Sequence, residues 1–342
     1  MIRISGKTLL IGDIHGSPEK LLYLRERIIS HNQGGTIQNV ILLGDIGLGF
    51  RHDAHEGAEF DMYLHDSSTN GCVDPDREGT YLYELYAESA SLRVTDIVAS
   101  MQILTGNPFV NVYLLRGNHD NSALWNKDDK RHKSLSSRKH VYFLQDGFIK
   151  INGKYFLCVG GGISIDFGAE HRRPGRGWWE GEEVQRKEWW NELTPKIKKD
   201  FMGILSHTGI RPEGIPWKDP DRFKNKNPYV YNGLVAELKY MDELFEKMKP
   251  GVWFYGHFHE TCLFEKEETV LCCLGERDTV LLDRRNEIDE FYPILKTHQN
   301  RLKTSLEGSE GKTMPEEDKN AENGPSRPEF GESDQRRTFW SS

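Results

Sequence analysis

In Thr8-Leu9-Leu10-Ile11-Gly12-Asp13-Ile14-His15-Gly16 an apolar run of strand length stops at a glycine, then presents an aspartate and a histidine two residues apart. The event recurs along the 342-residue chain. Val40–Leu43 runs into Gly44-Asp45, Val112–Leu115 into Arg116-Gly117-Asn118-His119-Asp120, Gly203–Leu205 into Ser206-His207, and Val252–Tyr255 into Gly256-His257-Phe258-His259. A buried strand followed by such a turn sets its polar residue at the strand's carboxyl end, the edge where sites assemble in open α/β sheets. Five such junctions predict one site rich in carboxylate and imidazole.

Between the junctions, Ser17 and Pro18 are suited to start a helix carrying Leu21, Leu24 and Ile28 on one face. Residues 50–79 have almost no apolar periodicity and read as a long loop or inserted flap. A helix is expected from about Tyr81 to Leu104, ended by Gly106-Asn107-Pro108. Val141–Phe143, Phe148–Ile151 and Tyr155–Val159 read as short strands, with Asn152-Gly153 as a hairpin turn. Glu180–Trp190 and Tyr229–Met248 read as helices. Cys262–Phe264, Val270–Leu274 and Val280–Leu282 read as closing strands. Helices alternating with strands early, and strands clustering late, favour two packed sheets with helices outside. The polar, aperiodic stretch 297–342 reads as a disordered tail following one domain over 1–296.

Asp13 and His15, joined by His259, can bind one cation. Asp45 has two oxygens and can bridge two cations, with Asn118, His207 and His257 completing the second. An oxygen and nitrogen shell without thiolate suits Mn²⁺ best, with Fe or Zn²⁺ also fitting. Two such ions about 3.5–4 Å apart can hold a hydroxide nucleophile and a phosphoryl oxygen together. His119 adjoins a ligand and can protonate a leaving-group oxygen. Arg116, shortly before it, is placed to clamp phosphate oxygens bidentately.

The five motifs, in this order, resemble the calcineurin-like metallophosphoesterase superfamily over roughly Thr8–Glu260. The resemblance implies a four-layer α-β-β-α sandwich of two mixed sheets flanked by helices, carrying a dinuclear metal centre with a bridging hydroxide. It implies Asp13, His15, Asp45, Asn118, His207, His257 and His259 as ligands and His119 as general acid. Leu114-Leu115-Arg116-Gly117-Asn118-His119 is especially similar to the serine/threonine protein phosphatase branch, whose equivalent Arg holds phosphate. That branch continues its second motif as Gly-Asp-x-Val-Asp-Arg-Gly, whereas Asp45 is followed here by Ile46-Gly47-Leu48-Gly49-Phe50-Arg51. The Asp that would orient the acid and the second phosphate Arg are both missing, and Asp120 replaces a Glu. Gly161-Gly162-Ile163-Ser164-Ile165-Asp166, Arg172, Trp178-Trp179 and Glu182 resemble a bacterial and phage phosphatase-like subgroup. In that likeness Arg172, with Arg173 and Arg176 as substitutes, supplies the second clamp.

The expected activity is hydrolysis of phosphate monoesters, small or on protein, with two divalent cations. A phosphodiesterase or nuclease is the first alternative, and a non-catalytic binding protein on the same fold the second. The net charge of −8 disfavours a broad nucleic-acid or membrane face. No apolar stretch approaches the roughly 20 residues that cross a bilayer, and no secretory leader is expected. Five cysteines without C-x-x-C spacing fit a reducing cytoplasm. His52, His55 and His65 in the insert read as solvated loop residues. Trp178, Trp179, Trp189 and Trp190 read as packing residues rather than a stacking platform for bases.

Overall fold

The quoted apolar runs are strands with both faces covered, which is why they read as continuous rather than alternating. In the computed structural model, β1 (Arg3–Ile4), β2 (Thr8–Ile11), β3 (Asn39–Leu42), β4 (Asn111–Leu114) and β5 (Val141–Phe143) come first. They are followed by β6 (Gly147–Ile151), β7 (Lys154–Val159), β8 (Arg173–Pro174), β9 (Gly177–Trp178) and β10 (Phe201–Ser206). The last are β11 (Val252–Tyr255), β12 (Cys262–Lys266), β13 (Thr269–Cys273), β14 (Thr279–Leu282) and β15 (Ile288–Phe291). Three α-helices lie whole among the described residues: α1 (Lys130–Ser136), α2 (Pro195–Lys199) and α3 (Pro228–Met248). The structure describes residues 1–15, 37–48, 101–102, 104–137, 139–165, 173–174, 177–212, 219–276, 278–283, 286 and 288–291. The expected helix after Ser17, the 50–79 insert and the 297–342 tail lie outside them, as does all of the 81–104 helix but its last turn.

Two mixed sheets form. One has seven strands in the order β1-β6-β7-β10-β11-β13-β12; the other has six, β15-β14-β2-β3-β4-β5. In the latter β2, β3, β4 and β5 are parallel, with β14 antiparallel to β2. In the former β7, β10, β11 and β13 run parallel. The parallel strands therefore send their carboxyl ends to one edge of each sheet.

Side-chain alternation separates the layers. Leu10, Ile41 and Tyr113 face inward against Phe156, Cys158, Leu205 and Phe254 of the other sheet. Their neighbours Leu9, Ile11, Val40, Leu42, Val112 and Leu114 face outward, where Met101, Leu104, Trp125 and Leu135 cover them. On the far side Leu157, Val159, Ile204, Trp253 and Tyr255 pack under Tyr240, Met241, Leu244, Phe245 and Met248 of α3. Helix, sheet, sheet, helix is the expected four-layer sandwich. Truncating a large inward residue such as Leu10 or Phe254 to Ala would cost about 2–5 kcal/mol.

Local rules set the ends of the elements. Asn227 caps α3 by accepting from the Val230 N–H, and Pro228 occupies its first turn. Asn152 and Gly153 both take positive φ, 48° and 86°, giving the primed turn that matches hairpin twist. The helix expected over Glu180–Trp190 does not form. Gly181 to Glu188 are irregular, and only a 3₁₀ turn, Trp189–Glu192, follows. The carbonyls of Gly181, Glu182 and Glu183 accept from the Arg116 guanidinium, a partner that draws them away from an intrahelical ladder.

Candidate metal centre

Five strand ends deliver the seven ligand candidates. Asp13 and His15 follow β2, Asp45 follows β3, Asn118 follows β4, His207 follows β10, and His257 and His259 follow β11. Backbone hydrogen bonds tie the loops together: His15 N donates to Asp45 O at 2.8 Å, and Gly256 N to His207 O at 2.9 Å. His15, Asp45, His257 and His259 take φ of 44°, 43°, 68° and 53°, a concentration of left-handed backbone that marks a site held under strain by its surroundings.

Glycine precedes these ligands because the loops interpenetrate. A Cβ on Gly117 would stand 2.0 Å from Asp45 N and 2.2 Å from Asp45 Oδ1. At Gly44, already at φ +95°, it would stand 2.4 Å from His207 Nδ1.

Two groups result. Asp13, His15, Asp45 and His259 bring one donor atom each within 4.8 Å of one another, and so do Asp45, His207 and His257. Asp45 belongs to both. In the first group His15 Nε2 lies 2.9 Å from His259 Nε2 and 3.6 Å from Asp45 Oδ2, with His259 Nε2 3.5 Å from Asp13 Oδ2. In the second, His207 Nε2 lies 2.8 Å from Asn118 Oδ1, 3.1 Å from Asp45 Oδ1 and 3.1 Å from His257 Nδ1. Asn118 thus joins the second group through its oxygen.

The donor set fits divalent cations. His207 Nδ1 lies 2.9 Å from the Leu43 carbonyl, so its proton belongs there and Nε2 is left as an acceptor aimed at other acceptors. Asp13 Oδ1 and Asp45 Oδ2 are buried and receive no hydrogen bond among the described residues. Acceptors converging without donors are satisfied by metal ions. Where no cation neutralises them, the carboxylates draw protons onto the imidazole instead. Burial opposes charge on His207, yet the carboxylates of Asp45 and Asp13 outweigh it and raise the imidazole to about 9. Burial also acts to raise Asp45, but His207, His119 and His15 hold it well below the usual carboxylate range. Asp13 goes the other way: burial, reinforced by Asp45, lifts it to about 6 against His207 and His259.

His119 lies at the rim. It is half-buried, its N–H donates to Asp45 Oδ1 at 2.7 Å, and its ring meets that of His15 edge-on at 5.2 Å between centroids. Arg116 differs from expectation. Its guanidinium is buried and donates to the carbonyls of Gly181 (2.5 Å), Glu182 (2.8 Å), Gly160 (3.1 Å) and Glu183 (3.3 Å). Those donors brace the loop in front of Asn118 through backbone carbonyls. Arg172 and Arg176 lie outside the described residues, and Arg173 is described by its backbone in β8.

The roles of several supporting residues escaped the sequence reading. Asp120 Oδ1 accepts from Gly47 N (2.8 Å) and Leu48 N (2.9 Å), and Oδ2 from Gly117 N (2.8 Å), fastening the second and third motif loops together. Glu276 Oε1 stands 3.0 Å from His259 Nδ1, where an outer carboxylate would orient a ligating imidazole. Glu237 of α3 accepts from Ile163 N at 2.7 Å and Thr208 Oγ1 at 3.2 Å, and its Oε1 stands 3.9 Å from His257 Nε2. A Glu within the buried stripe Val230, Leu234, Met241, Leu244 is a signal that could have exposed it. Ser164 and Glu182 stand among the residues that resemble the phosphatase-like subgroup, but nothing in the sequence gives either a role beside Asn118.

Solved structures supply weak likenesses to this chain. An archaeal phosphodiesterase is 12% identical, with a TM-score of 0.33 over 82% of this chain and 96% of its own. The cold-active protein-tyrosine phosphatase of a psychrophilic Shewanella is 15% identical, with a TM-score of 0.30 over 82% and 76%. A protein of Thermus thermophilus is 14% identical, with a TM-score of 0.38 over 82% and 95%. A search of curated proteins gave no match. The sequence match is the finding that decides kinship: a family profile aligns with residues 6–261, a stretch that contains every ligand candidate from Asp13 to His259 and three quarters of the chain, so this protein belongs to the calcineurin-like phosphoesterases.

Proposed function

We propose that this phosphoesterase is a Mn²⁺-dependent phosphomonoesterase with a dinuclear centre and His119 as its general acid. The observation that supports it most is the sharing of Asp45 by both ligand groups, with His119 hydrogen-bonded through its backbone to the same carboxylate. Asp13, His15 and His259 would hold one cation, Asn118, His207 and His257 the other, and Asp45 both. When bound, such a pair supplies electrophilic activation of the phosphoryl group and of the attacking water.

The chain does the rest. Its buried carboxylates and imidazoles fix the donor atoms before substrate arrives, so no reorganisation is needed at the moment of reaction. His119, half-exposed beside the groups, would deliver a ring proton to the departing alcohol oxygen. Arg116 holds the Asn118 loop, and the second phosphate contact assigned to Arg172 rests on the family likeness. The donor set of oxygen and nitrogen, without sulfur, favours Mn²⁺ over thiophilic ions. The acidic charge balance favours small or protein-borne monoesters over nucleic acid. Cys158, Cys262, Cys272 and Cys273 are all unpaired, in keeping with a reducing cytoplasm. No described helix is long and apolar enough to cross a membrane. The catalytic domain is proposed to span 1–296, with the 50–79 insert within it and a polar tail over 297–342.

The test is a comparison of p-nitrophenyl phosphate, bis-p-nitrophenyl phosphate and phosphopeptides with Mn²⁺ supplied. Faster turnover of the monoester supports the reading. Faster turnover of the diester replaces it with a phosphodiesterase. No turnover by protein that holds two ions would make it a binding protein.

A further inference from the structure

The second ligand group contains one carboxamide, that of Asn118, and a carboxamide can present either its oxygen or its NH₂. Only the oxygen can serve a cation, and the wrong face would set donor hydrogens against one. Something must choose the face. Asn118 Nδ2 donates to Ser164 Oγ at 3.0 Å. Ser164 Oγ in turn donates its single proton to Glu182 Oε1. With that proton committed to a carboxylate, the hydroxyl can only accept from Asn118, so the amide nitrogen is drawn to Ser164 and Oδ1 is turned towards His207 Nε2, 2.8 Å away. All three side chains are buried, at 2%, 1% and 1% exposure, so the chain of hydrogen bonds is closed to bulk water.

Glu182 itself is held. Its carbonyl accepts from Arg116 at 2.8 Å and from Gly162 N at 3.1 Å, and its Oε2 accepts from Trp179 N at 3.4 Å. One short segment, Gly181–Glu183, therefore grips the Asn118 loop twice: by its carbonyls through Arg116, and by the Glu182 carboxylate through Ser164. This also accounts for an arginine that faces carbonyls where a phosphate contact was expected.

We propose that Ser164 and Glu182 are positioning residues that fix the Asn118 carboxamide with its oxygen towards the second cation, and so set that cation's affinity. The inference rests on the dinuclear reading above. Removing such an outer partner lowers metal affinity by about 10–100-fold. Because only the second group contains Asn118, the loss falls on one ion of the two.

The experiment is titration of metal-free protein with Mn²⁺, following free ion by its electron paramagnetic resonance signal, for the wild type, Ser164→Ala, Ser164→Thr and Glu182→Gln. Wild type should take up two ions. Ser164→Ala should keep the first at unchanged affinity and weaken the second by about 10–100-fold. Ser164→Thr retains the hydroxyl and should restore the second ion, which a role in packing alone would not explain. Glu182→Gln should shift the second ion in the same direction. The proposal is overturned if Ser164→Ala binds both ions as wild type does, or loses both equally. Uptake of fewer than two ions by the wild type would instead sink the dinuclear reading, and this inference with it.

Discussion

Gly256→Ala replaces one hydrogen by a methyl group, and the structure says where that group must go. The new Cβ would stand 2.2 Å from Asp13 Oδ1 and 3.1 Å from its Cγ. The glycine cannot yield, because its N–H is bonded to His207 O at 2.9 Å and its carbonyl to Phe258 N at 2.8 Å. Asp13 must move about 1 Å to reach ordinary contact, pulling against the His257 N–H that holds its Oδ2 at 2.8 Å. Overpacking of this kind costs about 1–3 kcal/mol, which in a domain of this size lowers Tm by about 2–5 °C. Metal ligation is far less tolerant, since good sites keep their distances to about 0.2 Å. The expected result is a folded protein, slightly less stable in EDTA, whose first cation is weakened by more than tenfold. Differential scanning fluorimetry and Mn²⁺ titration read the two effects separately. Gly251→Ala is the control: its Cβ would meet nothing nearer than Met202 O at 3.2 Å, so a smaller loss of stability and normal metal uptake are expected. If Gly256→Ala bound two ions at wild-type affinity and turned over at full rate, Asp13 would not be the ligand this geometry makes it.

Other consequences follow from the same geometry. His119→Asn should retain both ions yet lose about two to four decades in rate on esters with poor leaving groups, measured at saturating Mn²⁺; an unchanged rate there would remove His119 from catalysis. Asp45→Asn takes one oxygen from the ligand shared by both groups, so calorimetry should show both ions weakened, not one. Metal-free protein should lose stability as pH rises from 5 to 8. Asp13 and Asp120, pushed up to about 6 from 3.8, and His207, raised to about 9 from 6.5, all bind protons more tightly folded than unfolded. Their stabilisation is present below the unfolded values and drains away as pH passes the folded ones, while Asp45, shifted downward, acts only below its ordinary range. A thermal melt in EDTA that improved from pH 5 to pH 8 would contradict this.

The sequence was most readable where one residue type has one physical reason to be there. A continuous apolar run bounded by glycine cannot be a half-exposed strand, so eleven of the thirteen strands in the two sheets could be placed to within one or two residues of their limits, the short edge strands β1 and β15 being missed. The glycine-ligand junctions were legible because the interpenetrating loops tolerate no Cβ, a constraint that leaves its mark at Gly44, Gly117 and Gly256. The segment Glu180–Trp190 was misjudged for the opposite reason. Its composition suits a helix, and what prevents one is a guanidinium arriving from Arg116, more than sixty positions away.

Arg116 shows the limit more generally. In sequence its nearness to Asn118 and His119 made a phosphate contact the natural reading, because an arginine beside a ligand reads as a charge pointed at substrate. Which way the side chain turns depends on competing acceptors, and four carbonyls from distant segments converge on it. The same convergence brings Glu182 to Ser164 and fixes the Asn118 amide. Ligand types and their order can be read along the chain because each is set by its own strand end. The atoms that orient those ligands cannot, because each arrives from another loop and is chosen only once the two sheets have packed.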